Sequence, residues 1–103
     1  MLAARFIEAG RPFAIEEVGV PTIGPEDVLV EIRAAGICGS DVHYKRGDSS
    51  PATIPLTLGH EGAGIIKEVG SNVTNVKVGD NVIVHYVISC GYCNSDNRQH
   101  HNC

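Results

Sequence analysis

Apolar and polar residues follow one another in short runs along this chain, and turns rich in Gly, Pro and Asp separate the runs. The clearest run is 27–35, in which Val28, Val30 and Ile32 would share one face of an extended strand. The run 13–18 alternates for most of its length, so one of its faces is expected to be buried. Similar patterns predict further strands at 2–7, 62–70 and 81–88.

The stretch between the third and fourth of these strands is predicted to hold a short helical turn and a loop. The turn is expected at 40–45, because Ser40 or Asp41 can cap its first residues. Residues 47–55 are rich in Ser and Pro and are expected to form the loop. Residues 56–58 would then act as a connection to the next glycine-rich segment.

Many short strands separated by such turns are typical of an all-β barrel or sandwich. The chain has 103 residues, of which 43% are hydrophobic and 19% charged, as expected for one globular domain over residues 1–103. Its net charge is −4 and its basic residues are scattered, which argues against binding to nucleic acid.

The N-terminal segment and the cysteine content bear on the cellular location. Residues 1–7 are too short and too polar for a signal peptide, and no stretch is long enough to span a membrane. We therefore expect a soluble, cytoplasmic protein without a membrane partner. In that reducing setting, the four cysteines are expected to be metal ligands or free thiols rather than disulfides.

Two glycine-rich clusters, at 36–43 and 59–64, contain the donor types of a zinc site. Taken singly, Cys38 would be a small buried apolar residue and His60 a hydrogen-bonded one. Together with Glu61 they supply a thiolate, an imidazole and a carboxylate, which bind Zn²⁺ with one position open for water or substrate. We predict a catalytic zinc site at these three residues.

The two clusters, GICGSDVH at 36–43 and GHEGAG at 59–64, resemble the catalytic-zinc segments of the zinc-dependent medium-chain alcohol and polyol dehydrogenases. The first cluster, extended to Tyr44, is especially similar to sorbitol and xylitol dehydrogenases. The resemblance covers nearly the whole chain. It implies a mainly-β fold, a GroES-like partly open β-barrel with short helical turns.

The resemblance also implies roles for neighbouring side chains. Ser40 would relay the proton of the alcohol, His43 would pass it to solvent, and Asp41 would orient the histidine ligand. Glu61 matches a glutamate that binds the metal directly in the polyol dehydrogenases. Zinc would polarise the alcohol oxygen, and NAD or NADP would accept the hydride. From the residues alone, Ser40 and Asp41 could equally be helix caps and His43 a solvated turn residue.

A second cluster of cysteines lies at 89–103, where the family carries a structural zinc lobe with four cysteines. Here Asp96 stands in place of the third cysteine, and the fourth comes one residue early. The predicted ligands of a second zinc are Cys90, Cys93, Asp96 and Cys103. His100 or His101 could replace the carboxylate. The alternative is an empty lobe with free or oxidised thiols. The cysteine spacing also suggests a thioredoxin-like redox pair, but no βαβ pattern surrounds it.

No nucleotide-binding residues are predicted in this sequence. The spacing of Gly59, Gly62 and Gly64 is the reverse of the dinucleotide fingerprint, and a strand rather than a helix follows. We expect the N-terminal catalytic-domain portion of an alcohol or polyol dehydrogenase, inactive alone. It would be complete only with a Rossmann domain, supplied by a C-terminal continuation or a complementing C-terminal chain. An oligomer is a further expected partner. The alternative is a non-catalytic zinc-binding GroES-like module that binds a protein partner.

Overall fold

The computed structural model describes residues 1–88, and the predicted second zinc cluster lies outside them. The described residues form short strands and one helix. In chain order they are β1 (Leu2–Phe6), β2 (Ala14–Glu17), β3 (Val28–Ala35), α1 (Gly39–Arg46), β4 (Leu56–Thr57), β5 (Gly62–Val69) and β6 (Asn81–Ile83). Within residues 1–88, no helix combines the length and the apolar character needed to cross a membrane.

The strands form two antiparallel sheets of three strands each. The N-terminal sheet has the order β2-β1-β4, and the sheet we call the site sheet has the order β3-β5-β6. The chain therefore starts in one sheet, enters the other with β3, returns with β4 and crosses back with β5. This arrangement confirms the mainly-β, partly open barrel expected from the sequence.

The longest pairing in the described residues joins β3 to β5, from Val28 opposite Val69 to Ala35 opposite Gly62. Its register shifts twice, between Leu29 and Val30 and again further along the strand. Each irregularity disturbs the alternation of faces. The expected alternation along 27–35, with Val28, Val30 and Ile32 on one face, is therefore interrupted within the strand.

Two apolar side chains are buried in the described residues, Phe6 of β1 at 3% exposure and Ile66 of β5 at 1%. The ring of Phe6 meets that of Phe13 edge to face, with centroids 6.4 Å apart. Ile15 of β2 is 68% exposed, so the buried face expected for the run 13–18 is absent from that strand. β2 is an edge strand that pairs only with β1, and no described element covers Ile15.

Residues 56–58 contain a strand that the sequence pattern did not predict. Leu56 and Thr57 pair with Phe6 and Arg5 of β1, and the Arg5 guanidinium donates to the Pro55 carbonyl oxygen at 2.7 Å. The last strand is shorter than predicted. After Ile83, one more hydrogen bond joins β5 to this segment, and the chain then leaves the sheet.

Helix α1 extends one residue beyond the predicted turn at each end. Its N-cap position is occupied by Cys38, and of the two expected capping residues Asp41 contributes through a capping box. Asp41 is instead the third residue of the helix, and its carboxylate accepts the Cys38 backbone N–H at 3.0 Å. Gly47, in a left-handed conformation, ends the helix.

Candidate metal centre

His60 and Glu61 lie where the chain crosses from the N-terminal sheet to the site sheet. β4 ends at Thr57, and β5 begins at Gly62. Between them Gly59 has φ of 119°, in the region that residues with a side chain rarely adopt. Through this glycine the chain passes from β4 to His60 and Glu61, which directly precede β5 of the site sheet.

Cys38 reaches the same place from β3. The last pair of the β3–β5 ladder is Ala35 with Gly62, and the Gly36 N–H donates to the Glu61 carbonyl oxygen at 2.8 Å. Cys38 follows as the N-cap of α1 and takes part in a capping box with Asp41. The two glycine-rich clusters of the sequence are therefore joined by the end of one strand ladder.

One ligand atom from each of Cys38, His60 and Glu61 lies within 4.8 Å of the other two. Cys38 and His60 are half-buried, and Glu61 is exposed. Donors bound to one zinc at about 2.0–2.3 Å lie within about 4 Å of one another, so small side-chain adjustments would let this set hold one ion. Thiolate, imidazole and carboxylate are also a donor combination that suits Zn²⁺.

The three donors lie on the wall of an open cavity of about 1390 Å³. Ser40 lies on the same wall, as its predicted role as a proton relay would require. The cavity is lined by Ala34, Ala35, Gly36, Cys38, Ser40, His60, Glu61, Gly62, Ala63, Ile83, Val84, His85 and Tyr86. It leaves room beside the donors for a small organic molecule.

Tyr86 and His85 are site residues that sequence reasoning missed. The Tyr86 ring lies 6.0 Å from the His60 ring and 5.6 Å from the His85 ring, measured between centroids. The sequence pattern predicted that both residues belong to a strand at 81–88. In the structure β6 ends at Ile83, and both residues line the cavity. The available sequence signal was the adjacency of two aromatic rings, His85 and Tyr86.

The remaining predicted site residues of the described chain, His43 and Asp41, are not among the three grouped donors. His43 does not line the cavity: its Nδ1 lies 3.1 Å from a carboxylate oxygen of Asp48, and both side chains are exposed. The carboxylate of Asp41 accepts the Cys38 N–H, so Asp41 supports the backbone of a donor residue. The predicted roles of His43 in proton transfer and of Asp41 in orienting the histidine stay predictions.

A second, more apolar cavity of about 870 Å³ lies between the two sheets and shares His60 and Glu61 with the first. Charged residues border it. Glu31 pairs with Lys67 at 2.6 Å and with Arg33 at 2.8 Å. The hydrogen bond from Lys67, together with the positive charge of Arg33, lowers the pKa of Glu31. The Glu31 side chain is 37% exposed, so water partly screens these pairs.

Residues 24–103 match the family model of the alcohol dehydrogenase GroES-like domain. Among curated proteins, L-threonine 3-dehydrogenase from Symbiobacterium thermophilum is 49% identical over 96 residues, covering 90% of this chain and 27% of the relative. S-(hydroxymethyl)glutathione dehydrogenase from Synechocystis sp. is 44% identical over 91 residues, covering 88% and 25%. The chain thus spans about a quarter of the length of these curated relatives.

Solved structures of similar proteins show the same fold. Alcohol dehydrogenase TADH from Thermus sp. ATN1 gives a TM-score of 0.87 at 36% identity, with 98% of this chain and 29% of that chain covered. The cobalt- and zinc-bound thermostable alcohol dehydrogenase from Pyrobaculum aerophilum gives 0.87 at 32% identity, with 97% and 31% covered. CAD from Helicobacter pylori, complexed with NADP(H), gives 0.81 at 35% identity, with 97% and 29% covered.

Proposed function

Because this chain belongs to the alcohol dehydrogenase GroES-like domain family, we propose that Cys38, His60 and Glu61 hold the catalytic Zn²⁺ of an alcohol or polyol dehydrogenase. The observation that carries this proposal is their grouping within 4.8 Å on the wall of an open cavity. Three protein donors beside open space match a catalytic zinc site, whereas a structural site is closed by four.

When bound, the zinc supplies Lewis acidity, which lowers the pKa of an alcohol hydroxyl placed in the open position. Side chains of this chain would position the substrate and transfer its proton. Ser40, on the cavity wall, would relay the hydroxyl proton of the alcohol: its oxygen accepts that proton while its own hydroxyl proton is passed on towards solvent. Tyr86, beside His60, would form an apolar wall against the carbon skeleton of the substrate. His43, paired with Asp48 on the exposed surface, would exchange the proton with solvent.

The hydride acceptor would be NAD or NADP, held by a Rossmann domain outside residues 1–103. The bound NADP(H) of the H. pylori structure supports this choice of cofactor class. We propose a small primary or secondary alcohol or polyol as substrate, a cytoplasmic location, and an oligomer or a complementing C-terminal chain as partner. A second zinc at Cys90, Cys93, Asp96 and Cys103 belongs to the same proposal.

Metal binding by the 103-residue chain tests the centre directly. We expect Co²⁺ substituted for zinc to give a thiolate-to-metal absorption band. Cys38→Ala should remove the part of this band that comes from the Cys38 centre, while any part from Cys90, Cys93 and Cys103 remains and the far-UV circular dichroism stays unchanged. Ile37→Ala serves as the matched control, because this neighbouring side chain is 86% exposed and lines neither cavity. Equal metal content and equal spectra in the wild type and Cys38→Ala would contradict the proposal.

The non-catalytic alternative is separated from the enzyme by a further measurement on the cobalt form. A small alcohol that enters the open position should shift the cobalt bands of the wild type, and Ile37→Ala should behave identically. A metal centre whose spectrum ignores primary, secondary and polyhydric alcohols would favour the metal-binding module with a protein partner.

A further inference from the structure

We propose that Gly36 is a positioning residue for Glu61, because its missing side chain leaves the space that the Glu61 carboxylate occupies beside Cys38 and His60. The inference deepens the proposed function and rests on it. The three atoms that a side chain at position 36 would meet first all belong to Glu61, the third donor residue, and none belongs to Cys38 or His60.

The space at Gly36 is taken by the Glu61 side chain. A Cβ built on Gly36 would overlap the Oε2 atom of Glu61, and it would lie 3.2 Å from both the Cβ and the Cδ atoms of that residue. The φ angle of Gly36 lies outside the region that favours glycine. The backbone at this position would therefore accept any residue, and glycine is needed here for room alone.

The backbones of the two residues cannot move apart to make that room at low cost. The Gly36 N–H donates to the Glu61 carbonyl oxygen at 2.8 Å, and the neighbouring pair Ala35 with Gly62 belongs to the β3–β5 ladder. A methyl group at position 36 must therefore be accommodated by rotation of the Glu61 side chain. That rotation would carry the carboxylate away from the thiol and the imidazole, and two donors would remain.

Gly39 supplies a matched control in the same cluster. A Cβ built on Gly39 meets no atom within 4 Å, and its φ is also outside the region that favours glycine. Gly39 is the first residue of α1, and Ala is well tolerated in a helix. Gly39→Ala thus adds the same methyl group next to Cys38 without touching Glu61.

The test is a Co²⁺ titration of the full chain in the presence of a competing chelator, following the absorption that Cys38→Ala lacks. We expect Gly36→Ala to bind cobalt about 10–100-fold more weakly than the wild type, the range typical for loss of support around a metal ligand. Gly39→Ala should bind like the wild type. Glu61→Ala should lose affinity to a similar degree, and adding Gly36→Ala to it should cause no further loss.

Three results would overturn the inference or its premise. Wild-type affinity in Gly36→Ala would show that Glu61 does not depend on this space. A further loss when Gly36→Ala is added to Glu61→Ala would show that the methyl group acts through the backbone instead. If the wild type and Cys38→Ala share one cobalt spectrum, the proposed metal centre itself fails. Circular dichroism of each variant confirms that the comparison is between folded chains.

Discussion

The two sheets of this molecule differ in the length of their strand pairings. In the site sheet, β3 pairs with β5 from Val28 to Ala35, and the buried Ile66 of β5 lies opposite Val30 within this pairing. In the N-terminal sheet, β1 pairs with β2 over four residue pairs and with β4 over two, and Phe6 is its buried apolar residue. The proposed metal centre lies at the end of the sheet with the longer pairing, where donors need a rigid frame.

This difference means that the centre depends on the two sheets unequally. The backbones of Cys38 and Glu61 are fixed by the end of the β3–β5 ladder and by the start of α1. His60 follows β4 of the N-terminal sheet through Gly59. The position of the imidazole therefore depends on both sheets, whereas the positions of the thiol and the carboxylate depend mainly on the site sheet.

The largest expected effect comes from truncating the buried side chain of the site sheet. Ile66→Ala should lower the free energy of unfolding by about 2–5 kcal/mol, because it removes buried methyl groups and leaves a cavity. Ile15→Ala in the exposed edge strand should change it by less than about 0.5 kcal/mol. Urea unfolding followed by circular dichroism gives both values. Ile66→Val, expected to cost about 0.5–1.5 kcal/mol, covers the case in which the Ala variant does not fold.

A smaller effect is expected at the crossover between the sheets. Gly59→Ala should cost about 1–3 kcal/mol, because φ of 119° strains any residue with a side chain although the space around it is open. Gly19→Ala, where space is open and φ is ordinary, is the control. If Gly59→Ala matched Gly19→Ala in urea unfolding, the crossover would not depend on this conformation. Cobalt affinity should fall in Gly59→Ala as well, since His60 follows directly.

The capping box at the start of α1 should contribute less. Asp41→Ala removes the acceptor for the Cys38 N–H and is expected to cost about 0.5–2 kcal/mol, as caps do. Asp41→Asn keeps an oxygen acceptor and should recover part of the loss. Urea unfolding of the two variants measures the difference. An Asp41→Ala variant as stable as the wild type would mean that this end of the site sheet is held by the ladder alone.

The smallest effect is expected in the turn between β5 and β6, at the opposite end of the site sheet. Asp80 accepts the Lys77 backbone N–H at 3.0 Å and its ammonium group at 2.7 Å, and the hydrogen bonds from Lys77 lower the pKa of Asp80. A lowered pKa in the folded state stabilises the fold above the unfolded-state value, near 3.8, and the contribution disappears as pH falls through the folded-state pKa.

The advantage of the wild type over Asp80→Asn in urea should therefore be largest above about pH 4 and should shrink towards lower pH. Lys77→Met should reduce the same pH dependence, because it removes the main donor. A difference between wild type and Asp80→Asn that stays constant across this range would assign the role of Asp80 to its shape rather than its charge.

The sequence pattern predicted the fold class and the approximate positions of five strands, because alternation over several residues is a local property. It missed β4, which has two residues and so shows no period. It also missed the register shifts in β3, which arise from pairing with β5 and cannot be read from one strand. The exposure of Ile15 depends on what covers the sheet, which is again a property of the fold.

The candidate site shows the same division between local and spatial information. Donor types and glycines predicted Cys38, His60 and Glu61, and the structure brings these side chains together, although their role as zinc ligands stays a prediction. The cysteine N-cap could not be foreseen, since Cys is not a typical cap. The contact between Gly36 and Glu61 joins residues far apart in sequence, so only the folded chain reveals it.

The order in which the chain passes between its sheets has a kinetic consequence. The β3–β5 ladder closes a loop between residues 35 and 62, whereas the β1–β4 pairing joins residues 5 and 57. The entropy lost on closing a loop grows with its length, so pairings between distant residues form later than pairings between nearer ones. We therefore expect the β3–β5 ladder to bring residues 38, 60 and 61 together early in folding, and the pairing of β4 with β1, which precedes His60, to fix the position of the imidazole later. In a stopped-flow refolding experiment, metal capture would then trail the appearance of strand signal.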